Sequence, residues 1–524
     1  MRWTLSLPCA VILLSAATRA EAADFNFAAL RTLIETRHIQ SVEELLPALP
    51  APLRYRYTLV FASRSLQQAS YRDPRVILYG TDARLVLTFN GQPTQRGYEV
   101  IEAVEFGPDK RFRLREIRFP SAGSAGEVTF SEPNPATCQA CHGQPARPIW
   151  DSWPLWPGVY GQRYDTSLPA SERAGLESFL AAQASHPRYR HLLDVQRLAA
   201  PQTFHASSST RYSGAQQESP NAEFSSLLEG LVAASLVREM QEQPRFAQVQ
   251  YALLGAAGGD CGSVSDFLPS AARAAVKEGL RHLSRTSEVA NRWAATLKQQ
   301  RLRETDELGR AGTAPTQGVR PPDPANALIP LRLLAEAGLG MRTDNWTLAL
   351  EKGTYDLTAA PGAGSTLRDA LLSEISAGDP SLAALSSNAT SVDGDRYCRY
   401  LRRRSEAELS SPVVAAVDWS LSEPEPRAPP SGTSASRLPA TELLRVCAAC
   451  HDSAGAPRIP FLEERALKQA LLSGTTRHGR LLEEVLFRLS ADAGYRRMPL
   501  GIAVSDADRS ELQQYFVALG AHAP

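Results

Sequence analysis

The sequence lacks an excess of charge of either sign and lacks a long apolar run. Lysine and arginine total 56, as do aspartate and glutamate, so the net charge is zero at neutral pH. General binders of nucleic acid or anionic membranes carry a basic excess. Beyond the N-terminus no stretch reaches the roughly 18 uninterrupted apolar residues of a membrane-spanning helix. We therefore expect no nucleic-acid binding and no membrane span.

The N-terminus has the pattern of an export signal. Arg2 is followed by a short apolar region over residues 5–17 and by Ala20-Glu21-Ala22, a small-residue cleavage pattern. We interpret residues 1–22 as a signal peptide; the alternative is a buried N-terminal helix. This interpretation predicts a periplasmic or otherwise exported protein, whose cysteines meet an oxidising environment.

Apolar patterning changes along the chain and predicts an α+β multidomain protein. From residue 54 to 130, short apolar runs recur about every ten residues and are separated by turns such as Asn90-Gly91, which is typical of antiparallel strands. From residue 171 to 401, apolar residues recur at helical spacing, and Asn221 is predicted to cap one helix. We expect the last helix of the chain to end at Gly520.

Length supports this division, because 524 residues correspond to about three domains. Residues 422–437 are rich in proline, serine and glutamate, and we interpret them as a linker. The predicted parts are a signal peptide (1–22), a β-rich domain that ends in a cysteine motif (23–165), a mostly α-helical domain (166–421), the linker (422–437) and an all-α domain (438–524).

Four of the seven cysteines lie in two copies of one motif, CQACH at residues 138–142 and CAACH at residues 447–451. Two thiols at this spacing can each add to one vinyl group of a haem, and the adjacent histidine binds the iron. Zinc sites and redox dithiols also use C-x-x-C, but zinc needs a fourth ligand and a dithiol does not need the histidine. We predict two covalently attached haem c groups, held by Cys138, Cys141, His142, Cys447, Cys450 and His451.

A second candidate iron ligand follows the second motif. Met498 precedes Pro499 in a chain with four methionines in all; the alternative is that Met498 packs in a core. Residues from about 438 to 520 resemble a class I cytochrome c domain in Cys447, Cys450, His451, Pro457, Pro460, Met498-Pro499 and the C-terminal helix. The resemblance implies a helical fold around one haem, with His451 and Met498 as axial ligands. Because both axial positions are then filled, it implies an electron carrier.

The first motif has no Met-Pro at the spacing of the second. Its second iron ligand is left open among His186, His191, His205, Met240, a more distant side chain, or none. Trp150, Trp153 and Trp156 follow the motif and either pack on the haem or relay electrons. Arg147 either binds a haem propionate or lies at the surface.

The two remaining cysteines of the mature chain are Cys261 and Cys398. Their even number and the predicted oxidising compartment favour a disulfide between them; the alternative is two buried thiols.

Three hypotheses of function follow. The favoured one is an exported dihaem c-type cytochrome that transfers electrons with a redox partner protein or a small-molecule donor or acceptor. The second is a peroxidase- or oxidase-like enzyme with an open haem at the first motif and a relay haem at the second. The pairing of an open haem with a relay haem is similar to that of bacterial dihaem peroxidases. The spacing of 309 residues between the two motifs departs from theirs. The third is a binding or sensing module.

Overall fold

The computed structural model describes residues 25–63, 65–121, 123, 126–142, 144–148, 159–160, 170–199, 202–203, 217–218, 220–258, 261, 264–270, 272–278, 333, 363–386, 391–410, 439–451, 458–476, 479–490 and 506–521. The predicted signal peptide, linker and tryptophan cluster lie outside the described residues, as do His205 and Met498. Within the described residues, no helix combines the length and the apolar character needed to cross a bilayer. The predicted α+β class is confirmed by an antiparallel sheet and many helices.

Three short helices open the described chain: α1 (Phe27–Thr36), α2 (Val42–Ala48) and α3 (Ala51–Tyr55). Side chains cap the first two helices, because Asn26 Oδ1 accepts from the Ala29 amide and Ser41 Oγ accepts from the Glu44 amide. Both caps satisfy amides that the first helical turn leaves without a partner.

The sheet that follows has six antiparallel strands in sequence order, so each strand pairs with its neighbour along the chain. The strands are β1 (Tyr57–Val60), β2 (Arg75–Leu78), β3 (Leu85–Phe89), β4 (Val100–Phe106), β5 (Phe112–Arg118) and β6 (Thr129–Phe130). They fall on the apolar runs of the sequence, which confirms the predicted antiparallel unit.

Each face of this sheet belongs to a different core. We call one the N-terminal face, since its side chains pack against α1 and α2; they include Leu59, Leu78, Leu87, Ile101 and Ile117. We call the other the motif face, since its core also contains Ala146 and contacts Cys138; its side chains include Ile77, Tyr79, Val86, Phe106 and Leu114. The alternation of side chains along each strand produces this separation.

The predicted boundary at residue 165 divides segments that share one core. Helix α4 (Ala136–His142) carries the first motif, and α5 (Ala170–Ala182) follows it. Phe179 of α5 and Tyr189 pack into the N-terminal face. Residues 170–199 therefore belong with the β-rich unit, because their apolar side chains complete its core.

In the described part of the middle of the chain, the long segments are helical and include α6 (Pro220–Gln241), α7 (Phe246–Gly258), α8 (Ala363–Gly378), α9 (Pro380–Ser386) and α10 (Ser391–Leu409). Helix α6 covers the motif face, with Phe224 and Tyr79 rings 4.9 Å apart. It begins at Pro220, so Asn221 lies inside the helix rather than at its cap; proline suits the first helical position because it lacks an amide hydrogen. The Cys261–Cys398 disulfide is confirmed.

The C-terminal unit has its own core, formed by α11 (Ala440–His451), α12 (Glu464–Ser473), α13 (Leu481–Leu489) and α14 (Asp506–Ala521). A small hairpin of Thr475–Thr476 and Gly479–Arg480 joins α12 to α13. Helix α14 runs through Gly520 instead of ending there. A Cβ at Gly520 would lie 2.6 Å from Leu482 Cδ2, so this glycine permits close packing of α13 and α14.

Candidate functional site

Helix α4 is fixed on the motif face by Asn134, which pairs with strand β5. The Asn134 amide donates to the Leu114 carbonyl at 2.7 Å, and Asn134 Oδ1 accepts from the Leu114 amide at 2.8 Å. Asn134 has a φ of 55°, a left-handed conformation that asparagine tolerates better than most residues. Cys138 of α4 then packs against the core of the motif face. The side chain of Cys141 lies outside the described part.

The His142 ring has a defined orientation and protonation state. Its Nδ1 lies 2.6 Å from the Arg147 carbonyl oxygen. Because a carbonyl can only accept, Nδ1 carries the hydrogen and Nε2 carries the lone pair. Burial lowers the pKa of His142 to about 4, and the nearby Arg75 cation lowers it further while the bond to Arg147 opposes this. His142 is therefore neutral at pH 7, which is the state that a metal-binding imidazole requires.

Arg147 is a buried residue whose guanidinium is paired with a carboxylate. Its side chain is 4% exposed and forms an ion pair with Glu239 of α6. Arg147 Nε and Nη2 donate to the two Glu239 carboxylate oxygens at 3.2 and 2.9 Å. Such a two-pronged pair holds both groups in one geometry. Of the two predictions for Arg147, the surface position is wrong.

A second, partly buried ion pair lies on the same face of the sheet. Arg75 Nη2 donates to Glu102 Oε2 at 2.6 Å and to Thr88 Oγ1 at 2.9 Å, and Arg75 Nε donates to Gln67 Oε1 at 2.9 Å. Burial raises the pKa of Glu102, and the Arg75 cation opposes this rise. The cluster places a compensated positive charge within electrostatic range of His142.

The second motif occupies the last turns of α11, with Leu443, Leu444 and Ala448 buried in the C-terminal core. Cys447 packs against that core. The His451 ring contacts Phe461 edge to face, with centroids 5.2 Å apart. The Cys450 side chain and Met498 lie outside the described residues, so the predicted His451–Met498 pair stays a prediction.

The helices that carry the two motifs contact each other. Cys138 and Cys447 are 309 residues apart in sequence. Nevertheless, Cα atoms of α4 and α11 approach within 8 Å. The fold therefore brings two motifs that are far apart in sequence into one region.

Two of the candidate second ligands for the first motif lie elsewhere. His186 Nδ1 accepts from the Arg188 and Tyr189 amides at 3.2 and 3.1 Å, and its ring stacks on Tyr189 at 3.9 Å. Tyr189 belongs to the core of the N-terminal face, on the side of the sheet opposite α4. His191 follows on the same segment, where its Nε2 accepts from Arg190. Neither histidine is therefore placed to reach His142 from the motif face.

Met240 is the candidate that lies in the same core as the first motif, against which Cys138 packs. Its side chain is fully buried in the core of the motif face. It is adjacent in sequence to Glu239, which holds Arg147. Within the described residues, no three His, Cys, Asp or Glu side chains converge as a metal-ligand set.

Sequence analysis did not find Glu239 or Arg75. Glu239 lies 92 residues after Arg147 on a separate helix. Arg75 is an ordinary position of a strand, and nothing in its neighbourhood distinguishes it. Comparison with protein-family models, curated proteins and solved structures found no match for this chain.

Proposed function

We propose that this chain is an exported dihaem c-type cytochrome that transfers electrons. The observation that carries the proposal is the contact between α4 and α11, the two helices that end in C-x-x-C-H. Two attachment motifs held this close suit two redox groups that exchange electrons. When bound, a haem supplies an iron that changes reversibly by one electron.

The residues at the first motif suit a haem. Cys138 and Cys141 would form the thioether bonds, and His142 would bind the iron through Nε2. The hydrogen bond from His142 Nδ1 to Arg147 supports this, because metal-binding histidines commonly donate their other ring nitrogen to a carbonyl or carboxylate. Cys138 also packs partly against the motif-face core, which gives one side of the site apolar surroundings.

At the second motif, Cys447 and Cys450 would form the thioether bonds and His451 would bind the iron. The apolar surroundings of α11 favour a reduced, less charged iron, because burial disfavours net charge. The resemblance to class I cytochromes c adds Met498 as the sixth ligand. A redox partner protein or a small-molecule donor or acceptor would exchange electrons with the pair.

A second candidate function is a peroxidase- or oxidase-like enzyme in which the first motif holds an open haem. One observation favours it: His186 and His191 are held on the N-terminal face, so neither is placed to fill the sixth position. In this case the haem of the second motif would relay electrons to the first.

The first experiment is a haem count. We expect two haems in the wild type, one in Cys138→Ala/Cys141→Ala and one in Cys447→Ala/Cys450→Ala, measured by pyridine haemochrome absorbance. Loss of haem from both sites in either double variant would mean that the motifs do not act as separate attachment sites. A wild type without covalent haem would overturn the proposal.

Low-temperature EPR of the oxidised protein separates the two candidates. Electron transfer predicts two low-spin signals and no binding of carbon monoxide after reduction. An enzyme with an open first haem predicts one high-spin signal, which disappears in the Cys138→Ala/Cys141→Ala variant but not in the variant of the second motif. Turnover with peroxide would then be measured on the same preparations.

A further inference from the structure

Three residues from two segments, His142, Arg147 and Glu239, form a continuous chain of contacts at the first motif. Glu239 accepts from Arg147 through both carboxylate oxygens, at 3.2 and 2.9 Å. The carbonyl of the same Arg147 accepts from His142 Nδ1 at 2.6 Å. Arg147 thus contacts the acid with its side chain and the imidazole with its backbone.

Burial makes this chain of contacts rigid. Arg147 is 4% and Glu239 is 9% exposed, so separating their charges would leave an uncompensated ion in the interior. Helix α6 is itself held in place, because its Met240 is fully buried and its Glu223 accepts from Tyr79 and Arg56. Glu239 therefore has a fixed position relative to the sheet.

Hydrogen bonds also join the two ends of the backbone segment from His142 to Arg147. The Arg147 amide donates to the His142 carbonyl at 3.1 Å, while the Arg147 carbonyl receives the Nδ1 hydrogen. If the Arg147 side chain moved, the Arg147 carbonyl oxygen that accepts from His142 Nδ1 would consequently move with it. Groups that hydrogen-bond a ligating histidine set its orientation and its strength as a donor to the metal.

We propose that Glu239 is a positioning residue for the iron ligand at the first motif, acting through Arg147 on His142. This inference rests on the proposed function, since it requires a haem at Cys138 and Cys141. Glu239 does not touch the haem in this proposal. It fixes the carbonyl that receives the Nδ1 hydrogen and thereby sets how strongly Nε2 donates to the iron.

The test is Glu239→Gln in the full-length protein carrying both haems. The variant removes a buried negative charge and loosens the hold on Arg147, and both effects favour the reduced iron. We expect the reduction equilibrium of the first haem to shift toward the reduced form by about tenfold, equivalent to about 59 mV for one electron. We also expect the EPR g values of that haem to change, because the imidazole is less constrained.

Glu242→Gln is the matched control, one residue past the end of α6. Glu242 forms partly exposed ion pairs with Arg111 and Arg238, so the substitution removes the same charge without touching Arg147. We expect its potentials and EPR spectrum to equal those of the wild type. The single-haem variants assign each signal to its motif.

Several outcomes would overturn the inference. An unchanged EPR signal of the first haem in Glu239→Gln would do so, as would equal shifts in Glu239→Gln and Glu242→Gln. If Glu239→Gln does not fold, Glu239→Asp keeps the charge, shortens the side chain and must still move the g values. Absence of haem at the first motif would overturn the proposed function as well, whereas two haems with unchanged spectra would overturn the positioning role alone.

Discussion

The Arg188 guanidinium stacks on the Tyr98 ring, with its central carbon 3.3 Å from the ring centroid. Arg188 is fully buried and donates to Glu43 Oε1 at 2.6 Å and to the Asn90 and Tyr98 carbonyls at 2.8 Å. The Arg188 side chain thereby ties helix α2 and the loop between β3 and β4 to the segment that follows α5. The planar guanidinium is needed for this, because an ammonium cannot stack and donate in several directions within one plane.

We expect Arg188→Lys to lower the free energy of unfolding by about 2–4 kcal/mol, since it removes charged hydrogen bonds from a buried position. Urea unfolding measures this. Arg190→Lys is the matched control, because Arg190 is exposed two residues away, and it should change stability by less than about 0.5 kcal/mol. Equal losses in the two variants would contradict the role assigned to Arg188.

The stability of the N-terminal unit should depend on pH through Glu43. Burial raises the pKa of Glu43, but hydrogen bonds from Arg188 and Tyr98 and the Arg188 charge outweigh it, so the pKa is lowered overall. A carboxyl whose pKa is lowered by folding stabilises the folded state above its unfolded pKa of about 4.3, and this contribution is lost as pH falls below that value.

We therefore expect Glu43→Gln to be less stable than the wild type at pH 7, with the difference shrinking toward pH 3. Urea midpoints at several pH values measure it. Glu35→Gln is the control, because the Arg31–Glu35 pair is exposed and should contribute little at any pH. A difference that stays constant with pH would show that ionised Glu43 is not responsible.

The Cys261–Cys398 disulfide should stabilise the helical middle of the chain. It links α10 to the segment after α7 across a sequence separation of 137 residues. A loop of that length restricts the unfolded chain, so we expect Cys261→Ser/Cys398→Ser to lose about 3–5 kcal/mol. Urea unfolding followed by far-UV circular dichroism measures the loss, and chemical reduction of the wild type should reproduce it. An unchanged midpoint would contradict this prediction.

Met498→His tests the predicted sixth ligand of the second haem. Replacing a methionine ligand by histidine lowers the potential of a haem. We expect one of two potentials to fall and the potential of the first haem to stay constant, measured by spectroelectrochemical titration. The first haem is the internal reference. Two unchanged potentials would remove Met498 from the ligand set.

Much of the fold could be predicted from the sequence, because strands and helices are specified by patterns of neighbouring residues. The strands follow apolar runs between turn residues, and the disulfide follows from an even number of cysteines. Helix ends were less accurate: Asn221 and Gly520 both lie inside helices. Gly520 instead leaves room for the Leu482 side chain, a contact that no local sequence pattern records.

Of the candidate site, only the two C-x-x-C-H motifs could be recognised from the sequence. His142 was identified from its neighbours in sequence, whereas Glu239 requires knowledge of which helix covers the motif face. His186 and His191 follow the first motif closely, but the sheet separates them from it. Nearness along the chain therefore did not indicate which side chains share a face of the sheet with His142.

Covering of the motif face by α6 has a consequence for the order of folding. The N-terminal face is completed by segments that end at residue 199, whereas α6 ends at Gln241. A chain made from its N-terminus therefore leaves Tyr79 without its contacts to Phe224 and Glu223 until α6 has emerged, and exposed apolar surfaces of this kind attract chaperones. Cys138 packs against the same core, so we expect its thiol to be more accessible before this core has assembled than after.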